Sequence, residues 1–104
     1  MILFNETVSI ENAAAPEWLK WMQETHISAV MATTYFVKYQ IARVMEDEDT
    51  GGTTYAVQYF ARHMEDLLEY NRQHDQAMQA NMQARYAGKY AAFRTVLEVI
   101  DFNE

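Results

Sequence analysis

Hydrophobic and polar residues alternate from the second position of the chain. In ILFNETVSI, Ile2, Phe4, Val8 and Ile10 share one side with Glu6 interrupting them, and Leu3, Asn5, Thr7 and Ser9 share the other. A period of two predicts a strand over residues 2–10. The period then changes. In EWLKWMQETHISAV, Trp18, Leu19, Met22 and Val30 recur at helical spacing. Pro16 suits a first helical turn, where its missing N–H costs nothing, and Glu17 suits the positive end of the helix dipole. The first helix is expected from residue 16 to about 31 or 32. Residues 35–48, β-branched and aromatic, predict a second strand. A turn is expected over 47–52, where paired glycines supply positive φ, and a third strand over 53–61. Residues 63–88 lack breakers and end on Gly88, a natural C-terminal cap, which predicts a second helix. Residues 89–102 predict a fourth strand.

The order β-α-β-β-α-β predicts a single α+β domain, the ferredoxin-like split βαβ arrangement, over residues 1–104. Right-handed crossovers and a tight hairpin leave a four-stranded antiparallel sheet ordered fourth, first, third, second, with both helices on one face. The helix face is assigned Phe4, Val8, Val44, Tyr55, Val57, Tyr59, Phe93, Leu97 and Val99. The other face then carries Leu3, Ile41, Met45, Phe60, Val96 and Ile100, mixed with Asn5, Arg43, Gln58, Arg94 and Glu98. An apolar sheet face of that size does not stay exposed on a monomer. A homodimer through the sheet faces is expected, with those five polar residues in or around the interface and an Arg–Glu pairing among them. They would fix specificity, or form an anion site with Arg43 and Arg94 as the clamp.

Composition narrows the functions. The chain has 104 residues, half of them hydrophobic and 13% aromatic, enough for one packed core. Its net charge of -7 disfavours nucleic acid and anionic membranes. No apolar run approaches the ~18 residues of a membrane span. There are no cysteines, so disulfides and thiolate chemistry are excluded. The first residues show no basic n-region and no cleavage site, and a cytoplasmic protein is expected. The acidic turn lacks the ligand spacing of a calcium loop. No metal-ligand spacing, phosphate loop or nucleophile motif is present, so neither metal nor cofactor is called for.

The histidines are the candidates for chemistry. Leu19, Met22 and Val30 lie within about 40° of His26 on a helical wheel, so His26 points at the sheet. On the second helix Met64, Leu67, Asn71, His74, Met78 and Arg85 form the inward stripe, with Leu68 and Met82 flanking it. Two imidazoles would then face one sheet surface from which Tyr55 and Tyr59 rise. Two readings stay open. Each imidazole bonds a tyrosine or a carbonyl and fills space, or the two line a pocket. In the pocket, His26, His74 and Tyr59 are the acid/base groups, and Trp18, Met22, Tyr55 and Met78 hold a small apolar or aromatic ligand.

EWLKWMQETHI, RVMEDEDTGGTTYAVQYF, QHDQAM and FRTVLEVID resemble, over nearly the whole chain, an uncharacterised family of small bacterial proteins, a domain of unknown function. GGTTYAVQYF and AFRTVLEV are the most specific stretches. That family is similar in pattern to the dimeric α/β-barrel superfamily, which includes antibiotic-biosynthesis and haem-degrading monooxygenases, EthD-type proteins, muconolactone isomerases and stress-responsive A/B barrel proteins. The resemblance implies two ferredoxin-like subunits paired through their sheets, each with a pocket between helices and sheet. It also implies a strand-one asparagine and a helix-two histidine in the monooxygenase-like branches, for which Asn5 and His74 stand in roughly matching places. The tryptophan of strand three in those branches falls at Tyr59 or Phe60 here, and Asn5 lies on the face opposite His74. Three functions stay open: a small-molecule-binding dimer, a non-enzymatic structural or protein-interaction dimer, and a cofactor-independent or haem-using monooxygenase.

Overall fold

Alternation carries straight into strand β1 (Ile2–Glu11), which buries Phe4, Glu6, Val8 and Ile10. The computed structural model describes residues 1–45 and 51–103. Most of the turn expected over 47–52, and the last part of the expected second strand, lie outside the described residues. The first helix is continuous but not uniform. It runs as α1 (Ala15–Trp21), a π-helical turn over Met22–His26, and α2 (Ile27–Ala32), with the Ile27 N–H reaching back five residues to the Met22 carbonyl. Strand β2 (Lys38–Arg43) starts later than expected, because Thr34 takes a positive φ of 72° and Phe36 turns into the core. Strand β3 (Gly52–Ala61) follows. The second helix repeats the design of the first, as α3 (Met64–Tyr70), a π turn over Asn71–Asp75, and α4 (Gln76–Tyr86). Gly88 leaves it at φ 78°, and β4 (Tyr90–Glu98) ends where its partner β1 begins, at the pair Ile2–Glu98.

The sheet order is β2-β3-β1-β4, antiparallel throughout, with both helices on one face. This is a ferredoxin-like fold in the order that the crossovers require. Beneath the helices, Trp18, Met22, Ile27, Val30, Leu67 and Met82 pack onto Val8, Ile10 and Val57.

The face assignment holds for β1 and β3 and is reversed for β2 and β4. The pairs Phe4–Val96, Glu6–Arg94 and Ile2–Glu98 put Val96, Arg94 and Glu98 on the helix face. The pairs of Arg43 with Tyr55 and Ile41 with Val57 do the same for β2. Phe93 and Leu97, opposite Thr7 and Leu3, lie on the outer face, and Val44, next after Arg43, joins them by alternation. Arg43, Arg94 and Glu98 therefore leave the expected interface, and the Arg–Glu pairing assigned to that face is not there. Both parities of β4 are apolar enough to be buried, so size misled. Buried Glu6 decides the matter, because a carboxylate out of water needs a cation on its own face.

The π turns correct the helical stripes. A π turn holds one residue more than an α turn, which moves everything after it by about 100°. Past the second π turn, Met82 and Tyr86 fall in the core and Arg85 is exposed; ahead of that shift, Tyr70 is buried and Met64 and Asn71 are exposed, which corrects the stripe there independently of the turn. Trp18 and Trp21 are both buried.

Candidate functional site

The polar centre of the helix–sheet layer starts at Glu6, 5% exposed in the middle of β1. From β4, Arg94 Nε donates to Glu6 Oε2 at 3.1 Å. The other two guanidinium nitrogens fork onto Asp75 of the second π turn at 2.9 and 2.7 Å. Gln79 Nε2 adds a bond to Glu6 Oε2 at 3.3 Å, and the guanidinium lies 5.2 Å from the Phe4 ring centroid. One cation thus ties two strands to the second helix through two carboxylates. These hydrogen bonds to Asp75 and Glu6 push the guanidinium's pKa further up, so it stays charged.

His26 closes the first π turn and is 4% exposed. Burial pulls its pKa down to about 4, and the charge of Asp75 only partly offsets this. The ring is a neutral imidazole at pH 7, lying 5.0 Å from Trp21, which in turn meets Tyr86 at 5.5 Å. His74, in the second π turn, is half-buried between the rings of Tyr35 and Tyr70 at 5.9 and 6.0 Å. The two imidazoles have different ring neighbours, and neither makes a hydrogen bond among the described residues. Tyr59 sits with Phe36 and Phe4 at 5.2 and 6.4 Å. Burial first, then the charge of Glu6, pushes its phenol up, so it stays protonated.

Among the described residues, three polar atoms in this layer are buried without a hydrogen-bond partner: Trp18 Nε1, Tyr59 Oη and Tyr86 Oη. Each such group costs about 1–3 kcal/mol unless something supplies a partner. Trp18 leads to an opening. Its ring lies 5.1 Å from Tyr55. Tyr55 in turn forms part of a cleft of 280 Å³, together with Leu19 and Gln23 of the first helix and Ile41, Ala42 and Arg43 of the edge strand β2. Arg43 makes no ion pair among the described residues.

Of the residues expected to form a pocket, the structure brings Trp18 and Tyr55 together. Met22 is fully buried and Met78 packs on the core from its margin. Asn5 and Gln58 lie on the outer face, where Gln58 Nε2 donates to Asn5 Oδ1 at 3.2 Å. Glu6, Asp75, Gln79, Phe36 and Tyr70 were missed as members of the layer. For Glu6 the signal was there, an acid on the apolar side of an alternating strand. Among the described residues, no group of His, Asp and Glu is placed to hold a metal ion, and no helix is long and apolar enough to cross a membrane.

The fold recurs in solved structures. The haem degrader MhuD from Mycobacterium tuberculosis, solved with two haems in its active site, superposes with a TM-score of 0.70 at 17% identity, covering 100% of both chains. A dimeric ferredoxin-like protein from an uncultured marine organism gives 0.73 at 10% identity, covering 100% of this chain and 99% of that one. An EthD family protein from Bacillus halodurans gives 0.69 at 14%, covering 96% and 100%. At these identities the likeness is one of fold. No curated protein matches the chain in sequence. The chain belongs to a family described as a domain of unknown function, DUF4286, which matches residues 1–100.

Proposed function

We propose that this protein binds a small aromatic or apolar molecule in the cleft between the first helix and β2, and does so as a homodimer paired through the outer sheet faces. The observation that carries the reading is the cleft itself, 280 Å³ bordered by the Tyr55 ring, with buried Trp18 and its unpartnered Nε1 behind that ring. Leu19 and Ile41 give it apolar walls, and Gln23 and Arg43 give it a polar side. Binding is favoured over acid/base catalysis, since neither His26 nor Tyr59 exchanges a proton readily near pH 7. The test is an amide-resolved NMR titration with a library of one-ring compounds. Hits are expected to move Leu19, Gln23, Ile41 and Tyr55 together. Hits that leave all four unmoved would sink the assignment.

A haem-iron role for His74 has less support. Its ring is wedged between two tyrosines, and Arg94, the cation that reaches the second π turn from β4, is committed to Glu6 and Asp75.

Charge and area favour the dimer. Among the described strand residues, β-pairing places only two formal charges on the outer face, Lys38 on β2 and Glu11 at the far end of β1, in a chain of net charge -7. The middle of that face carries no carboxylate, so a second copy can approach there with Glu11 left at the end of β1. Phe93 and Leu97 are 64% and 43% exposed on that face. Across it runs a line of neutral side chains in which Gln40 donates to Gln58 at 2.8 Å, Gln58 to Asn5 at 3.2 Å, and Asn5 to Thr7 at 3.0 Å. Strands of ten, six, ten and nine residues present about 550 Å² per copy, or about 1,100 Å² in a pair, near the lower end of specific interfaces. Phe93→Asp is expected to weaken the dimer at least about 100-fold by placing like charges in the interface. Sedimentation equilibrium reads the outcome, and an unchanged dimer mass would move the interface elsewhere.

A further inference from the structure

Resting on the cleft reading above, we propose that the occupant is a one-ring aromatic monocarboxylate, with its ring against Tyr55 and its carboxylate on Arg43 and Gln23. The sequence has 15 acidic and 8 basic residues, and the structure gives Arg72 and Arg85 one carboxylate each and Arg94 two. Arg43 stands at a cleft and has none among the described residues. Its guanidinium presents a planar fork of donors that matches a carboxylate two bonds at a time. Gln23, from the opposite wall, adds an amide N–H donor to the same group. Neither side chain offers a second cation, so the site complements one negative charge and not two.

Shape sets the rest of the ligand. Tyr55 and Trp18 are already a tilted ring pair, with centroids 5.1 Å apart and planes at 39°. Tyr55 is 7% exposed, and a third ring in the cleft meets the part of it that lines the wall, extending the tilted pair edge-to-face. Leu19 and Ile41, both half-buried, grip its edges. A volume of 280 Å³ lies just under the usual range for drug-sized ligands, which fits one ring and not a fused system.

The experiment compares phenylacetate, methyl phenylacetate and hexanoate by NMR titration on wild type and on Arg43→Gln. Arg43 is exposed, so the variant is expected to keep its fold, which its own amide spectrum checks. Phenylacetate is expected to bind wild type about 5- to 10-fold more tightly than its ester, a modest ratio because the guanidinium is solvated. Arg43→Gln is expected to erase that preference and to leave the ester unchanged. Added salt is expected to shrink it. Equal binding of acid and ester by wild type overturns the charge assignment and leaves the cleft reading standing, and hexanoate binding as well as phenylacetate overturns the aromatic one. If no probe moves Leu19, Gln23 or Tyr55, the cleft reading fails and this inference with it.

Discussion

Arg94→Met is expected to destabilise the protein by about 2–3 kcal/mol, read as the midpoint of a urea melt at pH 7. Removing one partner of a buried ion pair costs about 3–5 kcal/mol, because the charge left behind has lost both water and its counter-ion. Here the remaining charge is Glu6, 5% exposed on the helix face of the sheet. The expected loss falls at or just below the low end of that range because the Arg94 side chain is itself 32% exposed. Gln79, bonded to the same Glu6 oxygen at 3.3 Å, softens the loss without neutralising the charge. The second arm adds to the effect, since Asp75 loses both bonds of its fork and with them the clasp between β4 and the second helix. Glu6→Gln in the Arg94→Met background is expected to recover more than half of the lost stability. It removes the buried charge and keeps an amide that Gln79 can bond. A loss below about 0.5 kcal/mol for Arg94→Met would place the network among surface ion pairs of no consequence.

That network also shows how much of the molecule was legible from residue order. Strand number, helix number and sheet order followed from changes of period and from the handedness of crossovers. The inward parity of β1 and β3 was legible because only one side of each is consistently apolar, as Phe4, Val8 and Ile10 show for β1. The parity of β4 was not, because Phe93 and Leu97 on one side outweigh Ala92 and Val96 on the other. Nothing local to β4 corrects that choice. What does so is Glu6, eighty-eight positions away and paired across the sheet with Arg94. The helix stripes failed for another reason. A wheel at 100° per residue presumes α-helix throughout, and the π turn of the second helix carries Met82 and Tyr86, which follow it, inward and Arg85 outward. The cleft was half legible. Aromatic Trp18 and Tyr55 were expected to hold a ligand, but Arg43 was placed on the wrong face and so was kept apart from Tyr55, its partner in the pairing of β2 with β3.

Acidification from pH 7 to 5 is expected to cost about 2 kcal/mol of stability through His26 alone. In the unfolded chain His26 titrates at its ordinary value near 6.5, whereas burial in the fold pulls it down to about 4. Between those values the unfolded state binds a proton that the folded state refuses. The slope of unfolding free energy against pH is then positive, and stability falls as pH falls. The loss begins below about pH 6.5, reaches about 2 kcal/mol at pH 5, and levels off near 3 kcal/mol as the folded imidazole itself protonates around pH 4. Carboxylates add their own terms below pH 5, so the measurement is the difference between the wild-type and His26→Gln profiles from pH 7 to 5. The variant removes the titration and keeps a polar side chain of similar reach beside Trp21. Parallel profiles would mean that the folded imidazole takes up its proton at the same pH as in the unfolded chain, which would return His26 to the candidates for acid/base work. Divergent profiles leave it a neutral ring beside Trp21, held out of water next to the Asp75–Arg94 clasp, and point the search for function to the cleft over Tyr55.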